Sequence, residues 1–232
     1  MTMTTLSAAT PSASTTKKSV LVVDDHPLLR QGLAMLINQQ DDMRVCGEVE
    51  EAQGAMQYIA QYMPDVLILD ISLKGPDGLD LLKSIRVPYP DLPVLILSMH
   101  DEAIYAERAL RARANGYIMK QEATDKVLVA LRRILNGDVY LSDAMSKKML
   151  HQYIDGSPSM VESRIAVLSD RELEVFRSIG EGKGTREIAE ELHLSVKTVE
   201  TYQAHIKEKL SLRSGRELIQ HAIQWKVNEK AN

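Results

Sequence analysis

An open α/β sheet of five parallel strands with helices on both faces, followed by a small all-helical domain, is the fold class this sequence predicts. Three observations carry the prediction. Short apolar runs at 20–23, 66–69, 94–97 and 116–119 each stop at a polar residue, and a helical pattern follows each run. Continuous apolar runs of this length are typical of parallel strands buried on both faces. Beyond residue 167 there is no strand pattern, and apolar residues recur only at helical spacing.

Taken in order, the first run is followed by a helix expected over Leu28 to Gln39, and a second strand fits Met43 to Glu48 before a helix over Glu51 to Tyr62. The strand at 66–69 leads to a helix over Asp77 to Val87, and the strand at 94–97 to one over Glu102 to Arg113. The strand at 116–119 leads to a helix over Ala123 to Leu135. Five βα units with right-handed crossovers imply a (βα)5 domain over residues 19–137, for which flavodoxin-like order is the expectation although no local pattern encodes the strand order itself. Residues 138–167 hold Gly156 and Pro158 around one helical pattern, Asp143 to Tyr153, and are expected to be a linker with a helix in it.

In the last segment, 168–232, four helices are expected: Asp170 to Gly180, Thr185 to Leu192, Val196 to Leu210 and Arg213 to Trp225. Ser169 three residues before Glu172 forms a capping box, and Gly180, Gly182 and Gly184 supply a stop and a turn. Val199, Tyr202, Ile206 and Leu210 form an apolar stripe, while Ile188, Ala189, Leu192 and Leu194 fill the angle to the preceding helix. Two helices so close, with a small residue at Ala189, have the geometry of a helix-turn-helix over about 185–204. His193 stands at the turn, where a left-handed residue is often required.

Composition bounds the function. A chain of 232 residues has room for about two domains. No apolar stretch approaches the ~20 residues of a membrane span, so no membrane partner is expected. The single cysteine, Cys46, excludes an intramolecular disulfide, which fits a reducing, cytoplasmic compartment. Residues 1–18, rich in Ser and Thr and without an acid, lack the apolar core of a secretory signal and are expected to be a disordered extension. Net charge is −4, yet residues 195–232 carry seven Lys and Arg against four Glu, or +3.

The strand ends carry the chemistry. Asp24 and Asp25, Asp70, Ser98 and Lys120 follow four successive strands, and ligands of open α/β sheets collect at such carboxyl ends. Three carboxylates suit a hard, partly hydrated Mg2+, which lets an anionic nucleophile meet a phosphoryl donor. Lys120 adds a positive charge and Ser98 a hydroxyl. Each residue also has an ordinary reading: Asp25 as a helix cap before Pro27, Lys120 as a solvated loop charge, Ser98 as a turn residue. Their occurrence at successive strand ends favours the shared site.

Residues 19–137, through Val22 to Pro27, Leu69-Asp70 with Asp77-Gly78, Leu97 to Asp101 and Gly116 to Lys120, resemble the receiver domain of bacterial two-component systems. Residues 168–226, through Arg186 to Leu192 and Ser195 to Glu200, resemble the LuxR-type DNA-binding domain. Together they are similar to response regulators of the NarL/FixJ type. The resemblance implies phosphorylation of Asp70 by a sensor histidine kinase, with Mg2+ bound by Asp25, Asp70 and the backbone carbonyl of Ser72, and Asp24 acting through water. It implies that Ser98 and Tyr117 form a switch pair and that Lys120 supports the phosphoryl group. Two departures from the family pattern are Gln121 and Lys74, where proline is common.

On the DNA side the resemblance places the helix starting near Ser195 and Val196 in the major groove of double-stranded DNA. Lys197, Thr198, Tyr202, His205 and Lys209 are candidates for backbone contacts, and Glu200, Thr201 and Ala204 for base edges. Leu218, Ile219, Ala222 and Ile223 line one side of the last helix, so a homodimer on two half-sites is expected, and RNA polymerase is a further partner. The expected function is a phosphorylation-switched transcription regulator. Two alternatives are a receiver that docks a partner without phosphorylation and an aspartyl-phosphate phosphohydrolase. The second is disfavoured because haloacid-dehalogenase-type enzymes carry an aspartate where this chain has Ser72, so no enzyme is expected.

Overall fold

A computed structural model describes residues 17–73, 77–155, 165 and 167–229. The expected extension over 1–16 and the departure at Lys74 lie outside the described residues. Five strands alternate with five helices: β1 (Lys18–Val23), α1 (Pro27–Asn38), β2 (Met43–Val49), α2 (Ala52–Tyr62), β3 (Val66–Leu69), α3 (Gly78–Arg86), β4 (Val94–Ser98), α4 (Glu102–Arg111), β5 (Gly116–Met119) and α5 (Ala123–Leu135). β1 starts two residues before the apolar run at 20–23 because the Lys18 N–H donates to Asp42 O at 2.8 Å, extending the pairing with β2.

All strand pairs are parallel and the order is β2-β1-β3-β4-β5, the flavodoxin-like arrangement. β3 and β4 are buried along their whole length, which is why their sequences are apolar at every position rather than at alternate ones. One face of the sheet packs on α1 and α5 through Leu33, Ile37, Val127 and Leu131. The other packs on α2, α3 and α4 through Ile59, Leu82 and Ala106.

The segment after α5 does not leave the sheet at once. Tyr140 forms a parallel bridge beside β5, accepting from the Tyr117 N–H at 3.0 Å, before α6 (Asp143–Asp155) begins. Glu102 of α4 then accepts from the Ser142 N–H, so the entry to α6 is held against the sheet domain.

The helical domain contains α7 (Asp170–Gly180), α8 (Thr185–Glu191), α9 (Val196–Lys209) and α10 (Gly215–Glu229). The capping box forms as read: Ser169 Oγ accepts from the Glu172 N–H, and Glu172 accepts from the Ser169 N–H. Phe176 packs against Trp225 with ring centroids 5.7 Å apart, joining α7 to α10. The two helices approach so closely at Gly180 that a Cβ there would lie 2.6 Å from Ala222 O.

α7 also seals the two domains together. Leu79 and Leu82 of α3 belong to the same apolar cluster as Leu173 and Phe176 of α7. Around it Asp170 pairs with Lys83 at 3.0 Å and with Arg108 at 2.9 Å. Arg171 donates to Leu73 O at 3.0 Å, and Glu174 pairs with Arg171 at 2.6 Å and His100 at 3.0 Å.

Candidate functional site

The parallel sheet sets the site. The Asp70 N–H donates to Val23 O at 2.9 Å, which continues the β1–β3 ladder and holds Asp70 level with Asp24. Both acids are 1% exposed and Asp25 is 9% exposed, so solvent offers them little compensation. Lys120, just past β5, reaches across β4 and bridges Asp24 Oδ2 and Asp70 Oδ2, each at 2.7 Å. The solvated-loop reading of Lys120 therefore does not hold: its side chain is 6% exposed.

His26 caps α1 in place of the Asp25 cap considered from sequence, and its side chain makes no capping bond. Its ring turns instead to the acids, with Nδ1 2.7 Å from Asp25 Oδ1 and 3.2 Å from Asp24 Oδ1. One donor atom each from Asp24, Asp25, His26 and Asp70 lies within 4.8 Å of the others. Three carboxylates against one buried ammonium make this a cation-attracting, oxygen-rich set that fits a hard divalent ion.

Burial pushes the Asp70 carboxyl above its ordinary value; Lys120 opposes the shift, and the neighbouring Asp24 charge adds to it. The Ser72 N–H donates to Asp70 Oδ1 at 3.2 Å, so one oxygen faces the loop and the other Lys120. Gly78 lies behind the acceptor: its N–H donates to Ile71 O, and a Cβ there would sit 2.0 Å from Asp70 O.

Ser98 is fully buried at the end of β4, and its hydroxyl accepts from the His100 N–H at 3.1 Å. Tyr117 is 1% exposed, and its hydroxyl donates to His100 O at 2.9 Å. Burial raises the Tyr117 phenol far above its usual range, so it remains a donor. Ser98 and Tyr117 thus share one hydrogen-bonding partner, the main chain of His100.

Residues 20–132 match the response regulator receiver domain, and residues 166–222 match the LuxR family of bacterial regulatory proteins. The oxygen regulatory protein NreC of Staphylococcus carnosus is 37% identical over 212 residues, covering 90% of this chain and 98% of NreC. The chain belongs to the two-component response regulators with a LuxR-type DNA-binding domain. NreC of Staphylococcus epidermidis is 35% identical over 215 residues, covering 90% of this chain and 99% of that protein. Among solved structures, RcsB of Salmonella enterica serovar Typhimurium, bound to promoter rprA with the phosphomimetic BeF3−, is similar with a TM-score of 0.58 and 26% identity. That match covers 89% of this chain and 98% of RcsB.

In this response regulator the helix-turn-helix is formed by α8 and α9. His193 adopts φ 53° at the turn, and Ile188, Ala189, Val199 and Ile206 are buried in the angle. Ser195 is the N-cap of α9, its Oγ accepting from the Thr198 N–H at 3.0 Å. Lys197, Glu200, Thr201, Ala204 and His205 are exposed along α9, whereas Tyr202 is half-buried against the core. Lys209 is exposed but already paired, 2.6 Å from Glu172 of α7. The stripe on α10 divides: Leu218 and Ala222 are buried in the core, while Ile219 and Ile223 are 49% and 44% exposed.

His26 and His100 fall within the sequence motifs, but local pattern assigns neither a role in the site. Their positions directly after Asp25 and two places after Ser98 were the available signal. In sequence Asp77 stands as a helix start and as part of the Asp77-Gly78 motif, neither of which marks it as buried. Asp77 does cap α3, accepting from the Leu79 N–H at 2.7 Å, but it is 1% exposed and its Oδ2 has no hydrogen-bond partner among the described residues. Burial, reinforced by Glu174, drives its carboxyl well above the ordinary value.

A carboxyl raised in the folded state supports folding at acid pH and loses that support as pH rises through the folded pKa. Asp77→Asn keeps the cap and removes the charge. We expect the variant to be more stable than the parent at pH 8, by about 1–3 kcal/mol, with the gain shrinking toward pH 4. Urea unfolding across this range checks it; a variant less stable at every pH would refute the assignment.

Proposed function

We propose that Asp70 is the phosphoacceptor of this response regulator and that a sensor histidine kinase is the donor, Mg2+ the cofactor and double-stranded DNA the output ligand. The observation that supports this best is the buried Asp24, Asp70 and Lys120 cluster, in which the acceptor carboxylate is held by one ammonium and faced by further acids. An Asp70 oxygen attacks phosphorus, the phosphorus–nitrogen bond of the phosphohistidine breaks, and the imidazole leaves with the nitrogen electron pair. Asp24, Asp25 and Asp70, with the Ser72 carbonyl, would hold the ion, which neutralises charge between nucleophile and donor. Lys120 remains to face the phosphoryl oxygens.

Ser98 and Tyr117 form the switch pair in this reading, both hydrogen-bonded to His100 in the present state. For DNA, α9 enters the major groove with Ser195, Lys197, Thr198, Tyr202, His205 and Lys209 toward the backbone and Glu200, Thr201 and Ala204 toward base edges. The similarity to a promoter-bound RcsB supports this output. Ile219 and Ile223 offer an apolar strip for a homodimer, and RNA polymerase is the further partner. We place the protein in the cytoplasm; among the described residues no helix is long and apolar enough to cross a membrane. Ser72 occupies the position where haloacid-dehalogenase-type hydrolases carry a general acid, in keeping with a regulator and not a turnover enzyme.

Intact-mass analysis with acetyl phosphate and Mg2+ tests the acceptor. One phosphoryl adduct is expected, absent in Asp70→Asn and with chelator; an adduct persisting in Asp70→Asn moves the acceptor elsewhere. For the DNA face, Lys197→Ala is expected to weaken binding across sequences and lower the salt slope by about 1. An unchanged slope in a salt titration removes Lys197 from the backbone contacts.

A further inference from the structure

His100 ties together several working parts of the molecule. Its main chain donates to Ser98 and accepts from Tyr117. Its Nε2 lies 2.9 Å from Ser72 Oγ, on the loop that follows Asp70, and 3.0 Å from Glu174 Oε1 on α7. Its ring stacks on Tyr105 of α4, centroids 4.5 Å apart. Glu174 in turn is 2% exposed and pairs with Arg171, which donates to Leu73 O beside the same loop.

We infer that His100 couples the Asp70 pocket to the domain interface, so that the seal between α7 and the receiver and the phosphorylated state of Asp70 compete for its position. This rests on the reading of Asp70 as phosphoacceptor. A phosphoryl group adds about −1.5 to −2 charges and three strong acceptors on Asp70, whose Oδ1 already accepts from the Ser72 N–H. The Ser98 hydroxyl can donate to those acceptors, but its position fixes the His100 N–H, and Ser72 holds the His100 ring. Movement of either shifts the ring against Glu174. Glu174 is buried and acidic, and loss of its partner leaves a carboxylate facing Asp77 with Arg171 alone to balance it.

The seal does not work by covering the DNA-reading surface. Lys197, Glu200, Thr201, Ala204 and His205 of α9 are exposed while α7 is docked. What docking fixes is the placement of the DNA-binding domain, and release of α7 frees that placement for pairing on two half-sites. By linkage, weakening the seal from the α7 side must favour the phosphorylated state by the same factor that phosphorylation weakens the seal.

Hydrogen–deuterium exchange of the full-length protein, with and without acetyl phosphate and Mg2+, tests this, with the Asp70 adduct followed by mass in the same samples. In the parent protein, amide exchange across α7 is expected to rise about fivefold or more on phosphorylation. His100→Asn is expected to take the adduct with α7 already exchanging fast and no further response. Glu174→Gln, of the same shape, gives the second variant and the same expectation. An Asp70 adduct with α7 protection unchanged overturns the coupling, as does an undiminished response in both variants. Absence of any adduct in the parent overturns the acceptor reading itself, and the mass record separates the two failures.

Discussion

Gly78→Ala is expected to destabilise the protein by about 3 kcal/mol or more, a large part of the roughly 5–15 kcal/mol that holds a typical domain folded. The added Cβ would lie 2.0 Å from Asp70 O and 2.8 Å from Ile71 Cα, both main-chain atoms. A flexible side chain could turn away from such a clash; backbone that anchors the acceptor cannot. Overpacking costs typically run about 1–3 kcal/mol where side chains absorb the strain, so a clash with main chain falls at or beyond the upper end. Relief requires moving Asp70 relative to Lys120, and the phosphoryl adduct is expected to fall with stability. Gly32→Ala provides the contrast: Gly32 lies within α1, a Cβ there meets nothing within 4 Å, and helix propensity predicts a gain of about 0.5–1 kcal/mol. Urea unfolding of both variants is the measurement. Equal midpoints would show that the close approach of α3 to the acceptor is not a constraint.

Lys120→Met should cost about 3–5 kcal/mol in chelator, the usual effect of removing one partner from a buried ion pair, or about 10 °C in Tm for a chain of this size. Lys120 bridges two acids at 2.7 Å each, and its removal leaves Asp24, Asp25 and Asp70 to repel one another in a pocket almost closed to water. The Asp70 carboxyl, already raised by burial, loses the Lys120 charge that opposes the shift, so the variant's stability is present at low pH and lost as pH rises through the folded Asp70 pKa. The deficit is therefore expected to grow from pH 5 to pH 8. Mg2+ should raise the Tm of the variant more than that of the parent, because the ion no longer competes with an ammonium for the same oxygens. Thermal melts with EDTA and with Mg2+ decide it, and equal increments from the ion in the two proteins would argue against a cation site among these acids.

Much of this architecture was legible locally. The apolar runs gave β1, β3, β4 and β5 because a strand buried on both faces has no polar position to spare. The acids at 24, 25 and 70 and the lysine at 120 were readable as one site because parallel strands bring their carboxyl ends to one edge. The capping box at Ser169 and the left-handed His193 were readable because each is decided within a few residues of chain.

The polar face of α7 was not legible in the same way. Asp170, Arg171 and Glu174 sit in the first turns of a well-capped helix, where charged residues usually face water. Here all three are buried, because Lys83, Arg108, His100 and the carbonyl of Leu73 arrive from another domain to satisfy them. The same holds for Tyr140, which looks like a linker residue and instead pairs beside β5.

By itself, then, the sequence determined the two domain types, the strand ends that carry the chemistry and the helix-turn-helix, since each depends on periodicity or on short-range hydrogen bonding. Tertiary structure alone decided the strand order, the bridging position of Lys120, the turn of His26 toward the acids and the placing of His100 between the acceptor loop and α7. Those features depend on which partners residues far apart in the chain find when both are removed from water, and no local pattern records that choice.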